Sequence, residues 1–305
     1  MTGERTPLSV LVPGGTGQLG TALAALASPE AEVRAPGSAE LDLTETGAIV
    51  HAVSTLAEES DADGRAPVVI NAAAYTAVDA AETDERRAFA VNADGPRVLA
   101  AACSSRRVPL VHVSTDYVFS GDAERPYEPE DAVNPRTAYG RTKVAGEDAV
   151  LGSGAQAWIV RTAWVYGAGG SNFVRSIRRL EAERAELSVV DDQRGSPTWT
   201  ADLAAGLLEL ARRIVDGAAP GRRILHCTGA GEVTWYGFAR AIFSEIGADP
   251  DRVRPCTTAD FPRPAPRPAY SVLSGESWRD AGLTPLRPWR EALHEYLSTE
   301  TLATS

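Results

Sequence analysis

The sequence predicts an α/β protein built on a doubly wound parallel sheet. Three observations predict it. Short β-rich runs alternate with helical patterns through the first half, those runs are apolar without clean alternation, and the first enters a helix through a glycine-rich turn. The chain of 305 residues, 44% hydrophobic and 23% charged, is long enough to bury a substantial core and ordinary in composition for a globular protein.

LSVLVPG (8–14) reads as a strand entering a turn and GQLGTALAALA (17–27) as the helix after it. AEVRA (31–35) is a second strand, 46–59 has helical spacing, and PVVINAAA (67–74) is a third strand. A helix is expected over 85–106, a fourth strand over 109–115, a helix over 138–151 with Pro135 near its start, and a later strand over 157–167. Beyond 167 the rhythm changes. Helices are expected over 172–187, 200–217 and 234–247, the last capped by Thr234. DFPRPAPRPAYSVLS (260–274) reads as a connector, too polar and rigid for a core element.

The net charge of −11 argues against a nucleic-acid grip, although arginines placed locally can still hold an anionic ligand. The polar start MTGERTP and the lack of a long apolar run predict a cytoplasmic protein with no membrane partner. Cys103, Cys227 and Cys256 show no CxxC spacing, and His51, His112, His226 and His294 are scattered, so no metal site is expected.

Glycines at 14, 17 and 20, around Thr16, Gln18 and Leu19, occupy a strand–turn–helix junction. Gly14 permits the tight turn, Gly17 a close approach of pyrophosphate to the backbone, and Gly20 close helix–strand packing, which together suit a dinucleotide. An acid is expected at the end of the second strand to hold a ribose hydroxyl, but the chain there reads Arg34-Ala35-Pro36. Asp42, followed by Leu43, could face the adenine side, and Arg34 could meet a 2′-phosphate, so NADPH and NADH both stay open.

Lys143 is the single lysine among 30 cationic side chains and stands four residues after Tyr139, on one face of a helix. An ammonium at ~5 Å and an effective dielectric of ~20 stabilises a phenolate by about 3 kcal/mol, or about two pKa units. That spacing predicts a tyrosine usable as a proton donor or acceptor near neutrality. Thr115, at the carboxyl end of the fourth strand, supplies a hydroxyl where open α/β sheets bind ligands.

PGGTGQLG, INAAAYTAVDAAE, VSTDYVFSG, PRTAYGRTKVAGE, RTAWVYG, NFV, DDQRGSPT and APRPAYSVL, in this order, resemble the dTDP-4-dehydrorhamnose reductase family. These are the dTDP-4-keto-6-deoxyhexose reductases of the extended short-chain dehydrogenase/reductase superfamily. The resemblance runs from about residue 8 to 297. It implies a Rossmann-type sheet domain over 1–167, with 199–226 returning to it. A smaller C-terminal α/β substrate-binding domain for the nucleotide sugar would comprise 168–198 and 227–305. It implies that Tyr139 protonates the nascent alkoxide at C4 of a dTDP-linked 4-keto-6-deoxysugar. Lys143 would bind the nicotinamide ribose and depress the tyrosine pKa, and Thr115 would orient the carbonyl. Ala72, Ala73 and Ala74 would run along NADPH or NADH, and Val78, Asp116, Tyr117 and Trp164 would line the hexose. Asn172, Phe173, Arg194, Pro197, Thr198 and Arg267 would lie toward the nucleotide half of the substrate. A metal is sometimes associated with the family, but its ligands are not matched to residues here, so none is carried over. A homodimer is a possible assembly.

Two alternatives stay open at this level. A nucleotide-sugar epimerase or dehydratase shares the framework, but a dehydratase needs an acidic doublet beside Thr115, and only Asp116 is present before Tyr117. A non-catalytic subunit like the regulatory partner of methionine adenosyltransferase would keep the nucleotide site without turnover.

Overall fold

The computed structural model describes residues 6–303. Positions 1–5 and 304–305, the outer ends of the two expected domains, lie outside the described residues. Six strands form the central sheet: β1 (Leu8–Leu11), β2 (Ala31–Arg34), β3 (Ala66–Asn71), β4 (Leu110–Thr115), β5 (Ala157–Thr162) and β6 (Ile224–His226). Their order is β6-β5-β4-β3-β1-β2 and every pairing is parallel. The order reverses between β1 and β3, which places a crevice outside their carboxyl ends.

Successive strand residues serve opposite faces, and the core divides accordingly. Val10, Val68, Ile70, Val111 and Val160 pack with Leu19 and Leu23 of α1 (Gln18–Ala24). They also meet Leu203, Leu207 and Leu210 from a helix over Thr200–Val215. Leu11, Val69, Leu110 and Ile159 pack on the other face against Ile49, Val53 and Leu56 of α2 (Thr46–Asp63) and Leu99 and Cys103 of α3 (Gly95–Arg106). Each fully buried aliphatic side chain contributes about 1.5–3 kcal/mol. This two-sided burial is why the strands read as unbroken apolar runs.

A third cluster lies outside the sheet. Val174 and Ile177 of the helix Phe173–Glu183, Phe238, Ile242 and Phe243 of the helix Trp235–Glu245, and Leu293 and Tyr296 of the helix Trp289–Ala303 form it. Thr234 caps the second of these helices as expected, its hydroxyl accepting from Gly237 N at 3.1 Å.

Several elements depart from expectation. The helix expected to reach 187 stops at Glu183, and Leu187–Val190 becomes a strand parallel to Val253–Cys256. The strand expected over 157–167 breaks after Thr162, because Trp164 sits at φ +49° before a short strand, Val165–Tyr166. The helix expected over 85–106 has a π-helical stretch at Ala90–Asp94, between Glu85–Phe89 and α3. The segment read as a connector is packed: Ala265, Val272 and Leu273 are buried, and Arg267 pairs with Asp79 at 2.8 Å.

The π-helical stretch lies against α4 (Ala138–Leu151). A Cβ added to Gly146 of α4 would stand 2.1 Å from Asn92 O, so only glycine lets the two backbones approach this closely. Asn92 also bonds both backbone groups of Tyr75 and the Thr142 hydroxyl of α4, at 2.8–3.1 Å. We expect Gly146→Ala to lower the free energy of unfolding by about 1–3 kcal/mol, measured by denaturant titration, because the clash falls on backbone.

Candidate active site

The carboxyl ends of β1, β3, β4 and β5 open into a crevice of about 1020 Å³. On its first wall, Gly14 adopts φ +88°, and a Cβ there would lie 2.7 Å from the backbone of Ala73. Gly20 allows close helix packing, since its Cβ would meet Gly14 O at 2.2 Å. Gly17 is less tightly held, its Cβ meeting Gly14 O at 3.2 Å, and serves as the N-cap position of α1. Gly15, which spacing alone did not single out, is equally constrained: its Cβ would overlap Ala35 O. The Gly14 turn thus sits directly on Ala72–Ala74, and the first helical N–H groups are left free for a ligand.

The opposite wall carries the polar groups. Thr137 caps α4, its hydroxyl accepting from Gly140 N at 2.9 Å, and Ala138 N donates to Glu82 Oε1 at 2.8 Å. Gly140 permits contact with the turn after β4, where a Cβ would stand 2.3 Å from Tyr117 O. This seating brings Tyr139 edge-on to Tyr117, with ring centroids 5.6 Å apart, and into hydrogen-bond contact with Thr115. The Thr115 hydroxyl donates to Asp116 Oδ1 at 2.9 Å. Thr115, Tyr139 and Lys143 all line the crevice, with Asp116, Tyr117, Val78 and Trp164.

Burial dominates the electrostatics. The Tyr139 phenol is pushed up from its ordinary value by loss of water, against the Thr115 hydrogen bond. The expected lowering by Lys143 does not arise. The Lys143 ammonium is turned toward the sheet instead, donating to Val113 O at 2.8 Å. Lys143 is itself pulled down to about 8 by burial, with Glu147 opposing. Asp116 is pushed up to about 6 by burial. Beneath Lys143, Glu147 and Arg161 form a buried two-pronged pair at 2.7 and 3.0 Å.

Thr16, Gln18, Leu19, Asp42, Leu43 and Ala72–Ala74 also line the crevice. Asp42 is held by Thr44 through two bonds of 2.8 Å. Arg34 does not join them. Its guanidinium is drawn outward by Glu59 and Glu32 on the surface. The cation that lines the crevice with Asp42 is Arg87, unreadable from sequence because only the fold brings the helix Glu85–Phe89 to that wall.

Residues expected toward the nucleotide half of a substrate lie outside the crevice lining. Asn172 caps the helix Phe173–Glu183 and donates to Gln18 Oε1 and Gly167 O, both at 2.9 Å. Thr198 is fully buried between Ser196 O and Gly229 N, and Pro197 abuts Gly229. Arg194 is exposed and pairs with Glu232 at 3.1 Å, while Arg267 is held by Asp79. Phe173 reaches the site at second hand, packing on Trp235, which stacks on Trp164 with centroids 3.4 Å apart and planes 4° from parallel. A Cβ on Gly195 would strike the Trp164 ring at 2.3 Å, so that indole fills a slot between glycine and tryptophan. Trp235 had no sequence signal beyond its place in an amphipathic helix.

A parallel sheet with a glycine turn at its switch point and a Thr–Tyr–Lys wall defines the class: a dinucleotide-fold protein of the extended short-chain dehydrogenase/reductase type. The RmlD substrate binding domain family model matches residues 8–302, and the chain belongs to this family. A dTDP-4-dehydrorhamnose reductase of Mycobacterium tuberculosis is 49% identical over 302 residues, 97% of this chain and 94% of that protein. A probable dTDP-4,6-dihydroxy-2-methyloxan-3-one 4-ketoreductase of Streptomyces antibioticus is 49% identical over 288 residues, 93% of each. Among solved structures, a dTDP-4-dehydrorhamnose reductase of Bacillus anthracis in complex with NADP aligns with TM-score 0.88 and 34% identity, covering 96% of this chain and 100% of that one.

The depression of Lys143 has a thermodynamic sign. Its folded pKa lies below the unfolded 10.5, so the unfolded chain binds more protons between about 8 and 10.5, and this group's contribution to stability rises with pH across that window. The difference corresponds to about 3 kcal/mol disfavouring the ammonium below pH 8. We expect Lys143→Met to be more stable than the parent at pH 7 and the gap to shrink by pH 10, read from paired denaturant titrations.

Proposed function

We propose that the protein is an NADPH-dependent reductase acting on the C4 ketone of a dTDP-linked 4-keto-6-deoxyhexose in the cytoplasm. The observation that carries this reading is that Thr115, Tyr139 and Lys143 line the same crevice as the glycine turn. The dinucleotide site fits its group: Gly14 seats its turn against Ala73 and leaves a wall of small residues and backbone. Relatives named for reduction of 4-keto sugars, one solved with NADP, support the choice of cofactor and substrate class. The residues up to about 167 would hold the dinucleotide, and those over 168–198 and 227–305 the sugar nucleotide.

A nicotinamide dinucleotide bound here supplies the hydride. Gly14, Thr16, Gln18 and Ala72–Ala74 would hold it, and Lys143 would bind its ribose. The Thr115 hydroxyl, which donates to Asp116 Oδ1, would turn to donate to the C4 carbonyl oxygen and fix its direction. Tyr139 gives that oxygen its proton, so the carbonyl ends as a hydroxyl and the tyrosine as a phenolate awaiting reprotonation. Burial assists this direction of reaction, because a phenol held above its ordinary value stays protonated until an alkoxide forms beside it. Trp164 and Tyr117 offer apolar faces to the hexose, and Val78 closes the side.

Tyr139→Phe is expected to lower kcat by about 10²–10⁴-fold with little change in dinucleotide affinity. The check is NADPH oxidation against a panel of dTDP-4-keto sugars, with products read by NMR. One dinucleotide must be consumed per sugar reduced; catalytic recycling would point to an epimerase or dehydratase, and silence of the purified chain to a regulatory subunit. Arg87→Ala is expected to weaken NADPH binding by about 10–100-fold while leaving NADH nearly unchanged, measured by fluorescence titration, since a lost charge-assisted phosphate contact is worth about 1.5–3 kcal/mol.

A further inference from the structure

We infer that Asn71 and His112 are positioning residues: a buried chain of hydrogen-bond donors runs from Asn71 through His112 to Lys143 and favours the uncharged form of that lysine. Each link follows from atom types. The backbone N–H of Ala73 can only donate, and it lies 3.1 Å from one end of the Asn71 amide, so that end is Oδ1. The other end is the NH₂ group, 3.0 Å from His112 Nδ1. An amide NH₂ cannot accept, so Nδ1 carries the lone pair and the single proton of the neutral ring sits on Nε2.

Nε2 lies 3.4 Å from Lys143 Nζ, and Nζ lies 2.8 Å from Val113 O. An ammonium there presents its own N–H groups to the Nε2–H. An amine satisfies every atom, donating to Val113 O and accepting from Nε2–H. Protonating the ring would keep Nε2–H and set a second donor against the Asn71 NH₂, and complete burial and the neighbouring Lys143 hold His112 well below its ordinary value.

The other titratable groups around Lys143 do not reverse this preference. Glu147, one turn along α4, favours the ammonium but is held by Arg161 from β5. Tyr139, one turn back, is kept neutral by burial, and Asp116 beyond β4 is pushed up to about 6 and bonded by Thr115. The consequence for turnover rests on the proposed reductase reading: Asn71 and His112 would set the charge that Lys143 presents to the crevice.

The experiment uses the full chain without ligand, grown with [ε-¹³C]lysine and ring-¹⁵N histidine. Because Lys143 is the sole lysine, its Cε gives a single resonance. The His112 ring is assigned by its loss in His112→Gln. The expected result is an Nε2–H tautomer for His112 and a Lys143 titration midpoint about two pH units below that of free lysine. In Asn71→Asp, one carboxylate oxygen keeps the Ala73 N–H and the other accepts from Nδ1. The tautomer then inverts, Nε2 becomes an acceptor, and the Lys143 midpoint rises by about one pH unit or more. An Nδ1–H tautomer in the parent, or a parent Lys143 midpoint at the ordinary lysine value, overturns the inference whether or not the variant folds. An inverted tautomer with an unmoved midpoint overturns it as well. No substrate is used, so a negative outcome leaves the reductase reading standing, and failure of that reading leaves these midpoints unaffected.

Discussion

A cation has to be kept dry and still reach a ligand crevice, and the structure around Lys143 answers to that requirement. Its amine is walled by β4 and α4, with 1% of its surface exposed. Desolvation on this scale would be prohibitive for an isolated charge. The chain meets it by easing the charge: Val113 O takes one N–H of Nζ, a neutral imidazole faces it, and the one carboxylate within reach is occupied by Arg161. That buried Glu147–Arg161 pair is better understood as insulation than as a source of stability. The guanidinium also packs over Phe119 at 4.9 Å and bonds Pro129 O, so each of its nitrogens has a partner.

Close backbone approach is the means by which this is built. Gly140 lets α4 touch the turn after β4, Gly146 lets it touch the π-helical stretch, and Gly14, Gly15 and Gly20 seat the first turn against β2 and β3. Each is a place where a methyl group would displace main chain rather than a flexible side chain. The π-helical widening at Ala90–Asp94 belongs to the same arrangement, turning Asn92 toward Tyr75 and Thr142.

The sheet was legible in the sequence because two-sided burial writes itself as short apolar runs, and the Tyr139–Lys143 spacing was legible because one helical turn is a local property. What was not legible depends on distant partners. Arg34 was placed near a phosphate on its position at a strand end, yet Glu59, on a helix 25 residues later, decides where it points. The proline-rich stretch looked like a connector because its composition is polar, while its order comes from Asp79, from a strand-like bridge between Arg194 and Tyr270, and from Pro268 lying against Gly121. The Tyr139 acidity is not legible from the Tyr–Lys spacing, because the cost of removing water from the buried phenol dominates.

The stacked indoles of Trp164 and Trp235 join a residue that directly follows the central sheet to the first residue of a helix in the outer cluster. Parallel rings in contact resist being pulled apart far more than they resist gliding, because offset stacks remain attractive as the overlap changes. Adjustment of this wall to sugars of different shape therefore has a soft direction, along the ring planes, and a stiff one, across them. With Trp164 held at positive φ and wedged against Gly195, the stiff direction is set by the chain before anything binds.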